Sequence, residues 1–479
     1  MFSKKSEFYF FLSQYICYFV SNTKQLTKNS KMLIRFIVGN FMSFKEETEF
    51  NMLSSKGNGY KQHLNHLQTT KSGVNLLKTA AIYGANASGK SNLVTAIQYL
   101  KSIVVGDDID ILVPLSKRFR LDDNYKTKST TFRIEFVYKD IHFDYAVEIE
   151  KGKIKEEWLY EIISVEKEKD ILLFERTNNK VTFGDYFVKN KIDISYIEKF
   201  LDKELTDKQC VLNAMYDRID GDNKIDTIYE AFEKLLIVTP QTYNSIYPFS
   251  LMSDDHSKEF TENILKNSNT GIEKLDIQIV EADKFFSYDD DDFKQDIIDK
   301  LENRLADDKI KSKTISFYTR NEYYTIDKTD GKYFVSILKT KHFNSNNLFE
   351  FNEESDGTNR LFELIPAFDG LTREGNMLYI IDELERSLHP ILAKELLQLF
   401  VNNSHLNSQL IFTTHETHLL DLELLRQDEI WFTEKKIDGS SSFYPLSDYK
   451  PREDKNIRSG YLEGRYGGIP FLGDFSKLV

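Results

Sequence analysis

Cysteine is almost absent from this sequence, because its 479 residues include only two, Cys17 and Cys210. Two cysteines cannot form the disulfide framework of a small secreted domain, and no group of cysteines and histidines has the spacing of a zinc site. The sequence therefore favours a protein of a reducing compartment, and we expect it to be cytoplasmic.

Long hydrophobic runs are lacking as well. The apolar stretch at 8–20 has thirteen residues, whereas a membrane-spanning helix needs about 20. Lys4 and Lys5 precede it, as in a signal peptide, but no small-residue cleavage site follows. A strand pattern begins at Met32, so we expect residues 1–31 to be an upstream extension or the result of a misassigned start. An interfacial membrane anchor is the alternative interpretation, and we expect no membrane partner.

Positive charge is in deficit. The chain has 63 lysines and arginines against 76 acidic residues, a net charge of −13, which argues against a general nucleic-acid coat because phosphate contact needs a basic surface. A local basic groove is still compatible with this composition, so nucleic-acid binding stays open. No heptad pattern persists long enough for a coiled coil, and no internal repeat is present.

The chain is long enough for two lobes or more, and its patterns change along its length. Residues 32–184 contain strands, a glycine-rich turn with a helix, and a meander of antiparallel strands. Residues 185–345 are rich in lysine, aspartate and asparagine and read as a mixed helix and hairpin insertion, whose acidic run at 289–292 we interpret as a solvated loop. Residues 346–450 return to alternating strands and helices, and 451–479 form a tail. The alternation predicts an α/β fold with a mostly parallel, doubly wound sheet, which binds ligands beyond the carboxyl ends of its strands.

The segment GANASGKS at 84–91 follows a predicted strand and precedes a predicted helix, which is the context of a phosphate-binding P-loop. Its glycines allow the backbone N–H groups to face phosphate oxygens, and the helix N-terminus adds partial positive charge. Lys90 would reach the β- and γ-phosphates of ATP, and Ser91 would coordinate Mg²⁺. The predicted nucleotide-binding residues are Gly84, Ala85, Asn86, Ala87, Ser88, Gly89, Lys90, Ser91 and Asn92.

Two further strands carry polar residues at their carboxyl ends. In MLYIIDE, Asp382 is placed to hold Mg²⁺, and Glu383 is placed to act as the general base on the attacking water. In SQLIFTTHE, His415 follows a buried strand, where an imidazole can contact the γ-phosphate. Ser387 to His389 could form a turn that contacts another subunit, although a simple helix start explains them equally well.

Several phrases together resemble known ATPases. A P-loop, a serine-glycine turn entering a helix, a strand ending in Asp-Glu and a strand ending in histidine are similar, in that order, to the ABC-type ATPase heads of the SMC, repair and OLD branches. The phrases GANASGKSNL, EESDGTNRLFEL, IIDELERSLHP, TTHETHLLDLELLRQDEIWFTEK and GYLEGRYGGIPFL more closely resemble a bacterial AAA-type ATPase family of abortive-infection loci, the RloA-like group. The resemblance implies an ABC-type head built from a mostly parallel P-loop sheet, an antiparallel meander and a mixed α/β insertion.

The resemblance also implies a second nucleotide contact. Ser355 and Gly357 take the positions of the signature turn, which in ABC heads contacts the γ-phosphate of ATP held by the opposite subunit. The expected assembly is therefore a homodimer with two equivalent sites, or a higher oligomer.

Departures from the family pattern put some features in doubt. The turn reads Ser-Asp-Gly rather than Ser-Gly-Gly, Met42 stands where repair-type heads often have arginine, and Gln241 is only a weak candidate for a Q-loop glutamine. No D-x-D motif follows His415, so we expect no Toprim nuclease domain in this chain. The tail at 451–479 either docks a partner or packs on the head.

The preferred interpretation is a Mg²⁺-dependent ATPase that acts as a dimeric switch in anti-phage defence. It would work with a separate effector protein, a Toprim or RloB-like nuclease being one candidate. The alternative is an SMC-like DNA-binding ATPase for DNA repair or maintenance. A transporter ATPase subunit and a non-catalytic nucleotide-binding scaffold fit the motifs less well.

Overall fold

The computed structural model describes residues 31–55, 63–106, 113–165, 169–190, 192–216, 218–219, 223–240, 254–286, 291–306, 314–319, 322–403, 407–452 and 456–470. Cys17, Gln241, almost all of the predicted 1–31 extension and the first half of the acidic run lie outside the described residues. The chain divides into two compact units, which we call the larger unit (28–240, 371–385 and 393–479) and the smaller unit (241–370 and 386–392).

The strands of the described residues are, in chain order, β1 (Lys31–Gly39), β2 (Thr48–Asn51), β3 (Leu67–Thr69), β4 (Asn75–Leu77), β5 (Thr79–Gly84), β6 (Thr130–Tyr138), β7 (Ile141–Glu150), β8 (Lys153–Ser164), β9 (Lys169–Thr177), β10 (Lys180–Phe183), β11 (Leu236–Val238), β12 (Ile272–Glu281), β13 (Thr314–Thr319), β14 (Glu322–Thr329), β15 (Lys332–His342), β16 (Leu348–Phe349), β17 (Leu378–Ile381), β18 (Gln409–Thr413), β19 (Ile430–Lys435) and β20 (Ser441–Pro445).

The α-helices of the same residues are α1 (Lys90–Val105), α2 (Asp185–Lys189), α3 (Ile194–Glu204), α4 (Val211–Met215), α5 (Lys224–Glu233), α6 (Asp255–Asn267), α7 (Ala282–Phe285), α8 (Asp291–Ala306), α9 (Asp356–Asp369), α10 (Pro390–Asn402) and α11 (Ile457–Leu462).

The larger unit contains the predicted meander as a sheet of order β10-β9-β8-β7-β6-β1-β2, antiparallel throughout. The turn between β6 and β7 has two residues, Lys139 and Asp140, both at positive φ. The turn between β7 and β8, Lys151 and Gly152, has the same property. Two-residue turns with positive φ at both positions match the right-handed twist of the strands they join. These turns therefore set the register of the meander.

The second sheet of the larger unit has the order β11-β17-β18-β5-β19-β20. Its strands are parallel except for β20, which pairs antiparallel with β19. Every residue of β5, β17 and β18 is buried, as expected for central strands of a sheet covered on both faces. The two sheets confirm the predicted α/β fold, with a mostly parallel sheet and an antiparallel meander.

One buried amide joins the parallel sheet to the meander and to the two-stranded sheet of β3 and β4. Gln409, the first residue of β18, donates from Nε2 to the carbonyls of Leu33 and Leu77 at 3.1 and 2.8 Å, and its Oε1 accepts from Leu33 N–H at 2.7 Å. Gln409 is fully buried. These three bonds replace the hydrogen bonds to water that its amide loses on burial, so its desolvation is offset.

The smaller unit is built on a separate antiparallel sheet of order β12-β15-β14-β13, with β16 pairing to β15. Its apolar cluster includes Phe286 just after α7, Ile297 and Leu301 of α8, and Ile326 and Val335 of the strands. Mixed helix and hairpin structure was the prediction for this part of the chain. The predicted domain boundaries at 184, 345 and 450 stay predictions, and the contacts group 185–240 with the larger unit.

Among the described residues, no helix is both long enough and apolar enough to cross a membrane.

Candidate functional site

The P-loop begins where β5 ends. Ala87 has a left-handed φ of 62° and Gly89 a φ of 122°, so the chain curls back on itself before α1 starts at Lys90. The carbonyl of Ser88 accepts hydrogen bonds from Thr433 Oγ1 at 3.2 Å and from Ser441 Oγ at 2.5 Å. Side chains of β19 and β20 therefore fix a loop whose sequence lies about 350 residues upstream.

Both P-loop glycines are required by close packing. A Cβ on Gly84 would lie 2.5 Å from the carbonyl oxygen of Thr433, and one on Gly89 would lie 2.4 Å from Ser441 Oγ. Gly89 also has a φ that L-amino acids with a side chain rarely adopt. The loop can therefore keep this shape only with glycine at these two positions.

Lys90 is buried, and its ammonium points into the loop. It donates to the carbonyls of Gly84 at 2.8 Å and Ala85 at 3.2 Å, and it lies 3.4 Å from Nδ1 of His415. Burial lowers the pKa of Lys90 to about 8, and the carboxylates of Glu385, Asp382 and Glu383 oppose that shift. Because an ammonium only donates hydrogen bonds, Nδ1 of His415 is the acceptor in this contact and its proton belongs on Nε2.

Ser91 and Asp382 meet at the carboxyl edge of the parallel sheet. Ser91 Oγ donates to Asp382 Oδ1 at 3.1 Å, and Thr413 Oγ1 donates to the same oxygen at 2.5 Å. Thr413 also accepts from the N–H of Glu383 at 2.8 Å. Asp382 is only 4% exposed, so these bonds replace the water that its carboxylate loses on burial.

A hydroxyl and a carboxylate in contact fit a magnesium ion that is completed by phosphate oxygens, because Mg²⁺ binds through one or two carboxylates plus substrate phosphates and water. Within the described residues there is no group of three or more histidine, cysteine, aspartate or glutamate side chains that could hold a metal ion alone. The residues at the Ser91–Asp382 contact therefore fit a metal that binds together with the nucleotide.

Glu383 and His415 lie at the ends of the adjacent strands β17 and β18. Glu383 has a φ of 51°, and the following residue, Leu384, donates its N–H to the carbonyl of Thr413 at 3.1 Å. Partial burial lowers the pKa of the His415 imidazole, and the nearby ammonium of Lys90 lowers it further. At neutral pH this imidazole is neutral, which agrees with its role as an acceptor from Lys90.

Glu385 is a residue of this site that the sequence reasoning missed. Its Oε1 accepts a hydrogen bond from the backbone N–H of His415 at 2.6 Å. The only signal in the sequence was a third acid in IIDELE, two residues after the pair that ends the strand. That spacing does not show which neighbouring strand the side chain reaches.

Asn92 lies in the first turn of α1, and its side chain is directed away from the loop's carbonyls. Its Nδ2 donates to Ser43 Oγ at 2.7 Å, and the carbonyl of Ser43 accepts from Ser441 N–H at 2.8 Å. The preceding residue, Met42, donates its N–H to the carbonyl of Lys117 at 2.6 Å. Asn92 therefore ties the turn between β1 and β2 to the P-loop helix.

Ser355 and Gly357 lie in the smaller unit, at the N-terminus of α9. Ser355 is the N-cap, and its Oγ accepts from Thr358 N–H at 3.2 Å. A Cβ on Gly357 would lie 2.9 Å from the carbonyl oxygen of Ser387. Glycine at 357 is thus explained by packing against the 386–392 segment of the same unit, independently of any ligand.

Comparison with curated proteins finds no match. Three solved structures that resemble the chain are SMC heads. The Smc head bound to the C-winged helix domain of ScpA covers 87% of this chain and 99% of its own, at 13% identity and a TM-score of 0.40. The SMC head domain from Thermotoga maritima covers 86% and 98%, at 14% identity and a TM-score of 0.35.

The third is the Smc head domain with an extended coiled coil, bound to the C-terminal domain of ScpA and derived from Pyrococcus furiosus. It covers 91% of this chain and 100% of its own, at 14% identity and a TM-score of 0.39. At these scores the likeness transfers no residue role and no partner to this chain.

A protein-family profile matches residues 80–173 and 163–421, which is most of the sequence and includes the P-loop, the Asp382–Glu383 strand and His415. The chain therefore belongs to the family described as "AAA domain, putative AbiEii toxin, Type IV TA system".

Proposed function

We propose that this protein binds ATP with Mg²⁺, hydrolyses it, and works as a nucleotide-driven dimeric switch. The observation that carries the proposal is the convergence of Lys90, Asp382 and His415 at one edge of the parallel sheet. Lys90 lies 3.4 Å from His415, and Ser91 on the next position lies 3.1 Å from Asp382. A lysine, a metal-binding pair and an imidazole in this arrangement suit a polyphosphate ligand.

Nucleotide binding would change the partners of Lys90. In the structure its ammonium donates to the carbonyls of Gly84 and Ala85, which are neutral acceptors. Phosphate oxygens are charged acceptors and form stronger hydrogen bonds. Lys90 would therefore turn to the β- and γ-phosphates, while the N–H groups of the loop and the N-terminus of α1 bind the remaining phosphate oxygens. The other loop residues, from Ala85 to Gly89, and Asn92 contribute to the same binding region.

Hydrolysis would depend on the turn after β17. Ser91 and Asp382 would hold Mg²⁺, which when bound neutralises charge on the phosphates. Glu383 would accept a proton from the attacking water as general base. The Nε2–H of His415 would donate to the γ-phosphate once Lys90 has moved away from Nδ1.

The dimer follows from the second motif. Ser355 and Gly357 begin a helix whose N-terminus favours anions, and we propose that this turn contacts the γ-phosphate held by a second copy of the chain. The segment 386–392, against which Gly357 packs, would lie at the same subunit interface.

The family description names a toxin of an abortive-infection type, and this supports a role in anti-phage defence. We propose that the chain is a cytoplasmic sensor and switch of the RloA-like kind, with a separate effector protein, for which a Toprim or RloB-like nuclease is the candidate. The division into a head interrupted by an insertion at 185–345 is part of the same proposal.

The test is the Glu383→Gln variant. Removing a general base should lower the rate of ATP hydrolysis by about 10²- to 10⁴-fold without weakening ATP binding, so an ATP-bound dimer should accumulate. Turnover is measured by phosphate release with Mg²⁺, and dimer formation by light scattering after size-exclusion chromatography. Glu395→Gln, on the exposed side of α10, is the matched control and should behave as the unmodified protein.

If Glu383→Gln hydrolyses ATP at the normal rate, Glu383 is not the base. If the unmodified protein is fully active as a monomer, the dimeric switch is wrong even though the ATPase assignment stands.

A further inference from the structure

Glu385 uses only one of its two carboxylate oxygens within the part of the chain that the structure describes. Oε1 accepts from the N–H of His415 at 2.6 Å. Oε2 is buried and has no hydrogen-bond partner among the described residues. A buried carboxylate oxygen without a hydrogen-bond partner lowers the free energy of unfolding by about 1–3 kcal/mol or more. We therefore expect a hydrogen-bond donor next to Oε2.

A second buried group without a partner lies at the same edge of the sheet. The hydroxyl of Tyr83, the residue before Gly84, makes no hydrogen bond to any described residue, and its ring is fully buried. Burial raises the pKa of Tyr83 well above its usual range, and among the charged groups Glu385 raises it most. Glu385 also acts most strongly among the carboxylates on Lys90. Glu385 follows β17 and Tyr83 lies next to the last residue of β5, and these two strands flank β18 in the parallel sheet.

The phosphates of a bound nucleotide cannot donate a hydrogen bond to Oε2 of Glu385. An ATP polyphosphate at neutral pH offers hydrogen-bond acceptors and negative charge, which a carboxylate oxygen repels. Lys90 is needed by the phosphates once they bind. A water molecule fits the requirement, because buried waters characteristically make about three hydrogen bonds to polar groups that lack other partners.

We propose, on the basis of the function proposed above, that Glu385 is a positioning residue of the hydrolytic site. Its Oε1 fixes the backbone of His415, and its buried Oε2 accepts from one buried water. The water offsets the desolvation of the carboxylate and keeps it in the rotamer that reaches His415. Glu385 thus links the turn after β17 to the residue whose imidazole would contact the γ-phosphate.

The proposal predicts a difference between two substitutions. Glu385→Ala removes both hydrogen bonds, so His415 loses its support and kcat should fall by about tenfold or more, while KM changes by less than about threefold. Glu385→Gln retains an acceptor for the His415 N–H and an amide that can bind the water, so kcat should recover to within about threefold of the unmodified protein.

A readout that does not depend on turnover is the amide proton of His415. In protein labelled with ¹⁵N-histidine and free of nucleotide, a short hydrogen bond to a carboxylate shifts this proton downfield, and Glu385→Ala should move it upfield. Glu416→Ala is the matched control, because Glu416 accepts from the N–H of His418 at 2.8 Å and, among the described residues, its carboxylate makes no hydrogen bond to Lys90, Asp382 or His415. It should leave both the His415 signal and kcat unchanged.

Normal kcat in Glu385→Ala would overturn the proposal. It would also be overturned if Glu385→Gln were as inactive as Glu385→Ala, since the negative charge and not hydrogen bonding would then be required. Neither result would affect the ATPase assignment, which fails only if the unmodified protein releases no phosphate from ATP in the presence of Mg²⁺.

Discussion

The two regions that carry the nucleotide motifs are built in opposite ways. In the larger unit, Lys90 and Asp382 are about 5% and 4% exposed, and their polar atoms already contact several side chains and carbonyls. In the smaller unit, Ser355 is exposed, and among the described residues its hydroxyl bonds only to Thr358 of its own helix. The first region is held together by contacts within the sheet, whereas the second is a helix start with an exposed N-cap.

The two regions differ in how much desolvation free energy their polar groups lose when the chain folds. The buried polar groups of the larger unit must satisfy one another to fold at all, so their geometry is preorganised and resists change. The exposed N-cap of α9 carries no such desolvation cost, and under the proposed function it gains interactions only when a phosphate binds. Changes in the larger unit should therefore disturb binding and chemistry, and changes in the smaller unit should disturb only the step that joins two chains.

The largest effect is expected for Gly89→Ala. Alanine at a φ of 122° is strained by about 1–2 kcal/mol, and its Cβ would lie 2.4 Å from Ser441 Oγ. The loop must shift, so ATP affinity should fall by about tenfold or more, measured with a fluorescent ATP analogue. Gly73→Ala is the matched control, because Gly73 also has a positive φ (90°) but has open space around its Cβ position.

Equal losses of affinity in Gly89→Ala and Gly73→Ala would show that backbone strain alone, and not the packing of the P-loop against β20, explains the result. That outcome would remove the argument that the larger unit's site is preorganised by its sheet.

Ser355→Arg should have a narrower effect. The arginine removes the N-cap, which costs about 1 kcal/mol, and places a long side chain where a second chain would bring its γ-phosphate. ATP-driven dimerisation should be lost, while affinity for ATP at Lys90 should stay within about threefold. Sedimentation with and without ATP measures the first, and analogue binding measures the second.

The control for the lost cap is Asp193→Ala. Asp193 caps α3 by accepting from Tyr196 N–H at 3.2 Å, so this variant loses a comparable bond without touching the signature turn and should still dimerise. Loss of ATP binding in Ser355→Arg would contradict the assignment of Ser355 to the second subunit's site.

Local sequence was sufficient for part of this site and insufficient for the rest. The P-loop, Asp382 and Glu383 could be predicted because their function depends on residues adjacent in the chain and on one strand-turn-helix context. The supports of the loop, Thr433 and Ser441, could not, since they reach Ser88 from strands about 350 residues away.

The packing of Gly357 and the sheet of the smaller unit also depend on contacts between distant parts of the chain. Gly357 was predicted from a resemblance, yet its packing against the Ser387 carbonyl depends on a segment 30 residues later. The strands and helices of the head were predictable from alternating patterns, whereas no periodicity shows that the 254–370 region forms its own sheet with its own apolar core. Long-range pairing decides these features, and a single sequence does not display it.

The smallest effect is expected where the smaller unit's sheet supports the signature turn. Glu354, the residue before Ser355, accepts on Oε1 from Thr340 Oγ1 and from His342 Nε2, the latter at 2.8 Å. Both donors lie near the end of β15. The carbonyl of Glu354 also accepts from Asn359 Nδ2 at 3.4 Å, so the turn is held from both the strand and the helix.

Thr340→Val removes one donor and keeps the side-chain shape, while His342 retains its bond to Glu354. The free energy of unfolding should fall by about 1 kcal/mol, and ATP-driven dimerisation in the Glu383→Gln background should weaken by less than about tenfold. Chemical denaturation measures the first and sedimentation the second. Thr329→Val, an exposed position at the end of β14, should change neither. If Thr340→Val abolishes dimerisation, the signature turn is as rigidly built as the P-loop, and the contrast between the two regions is wrong.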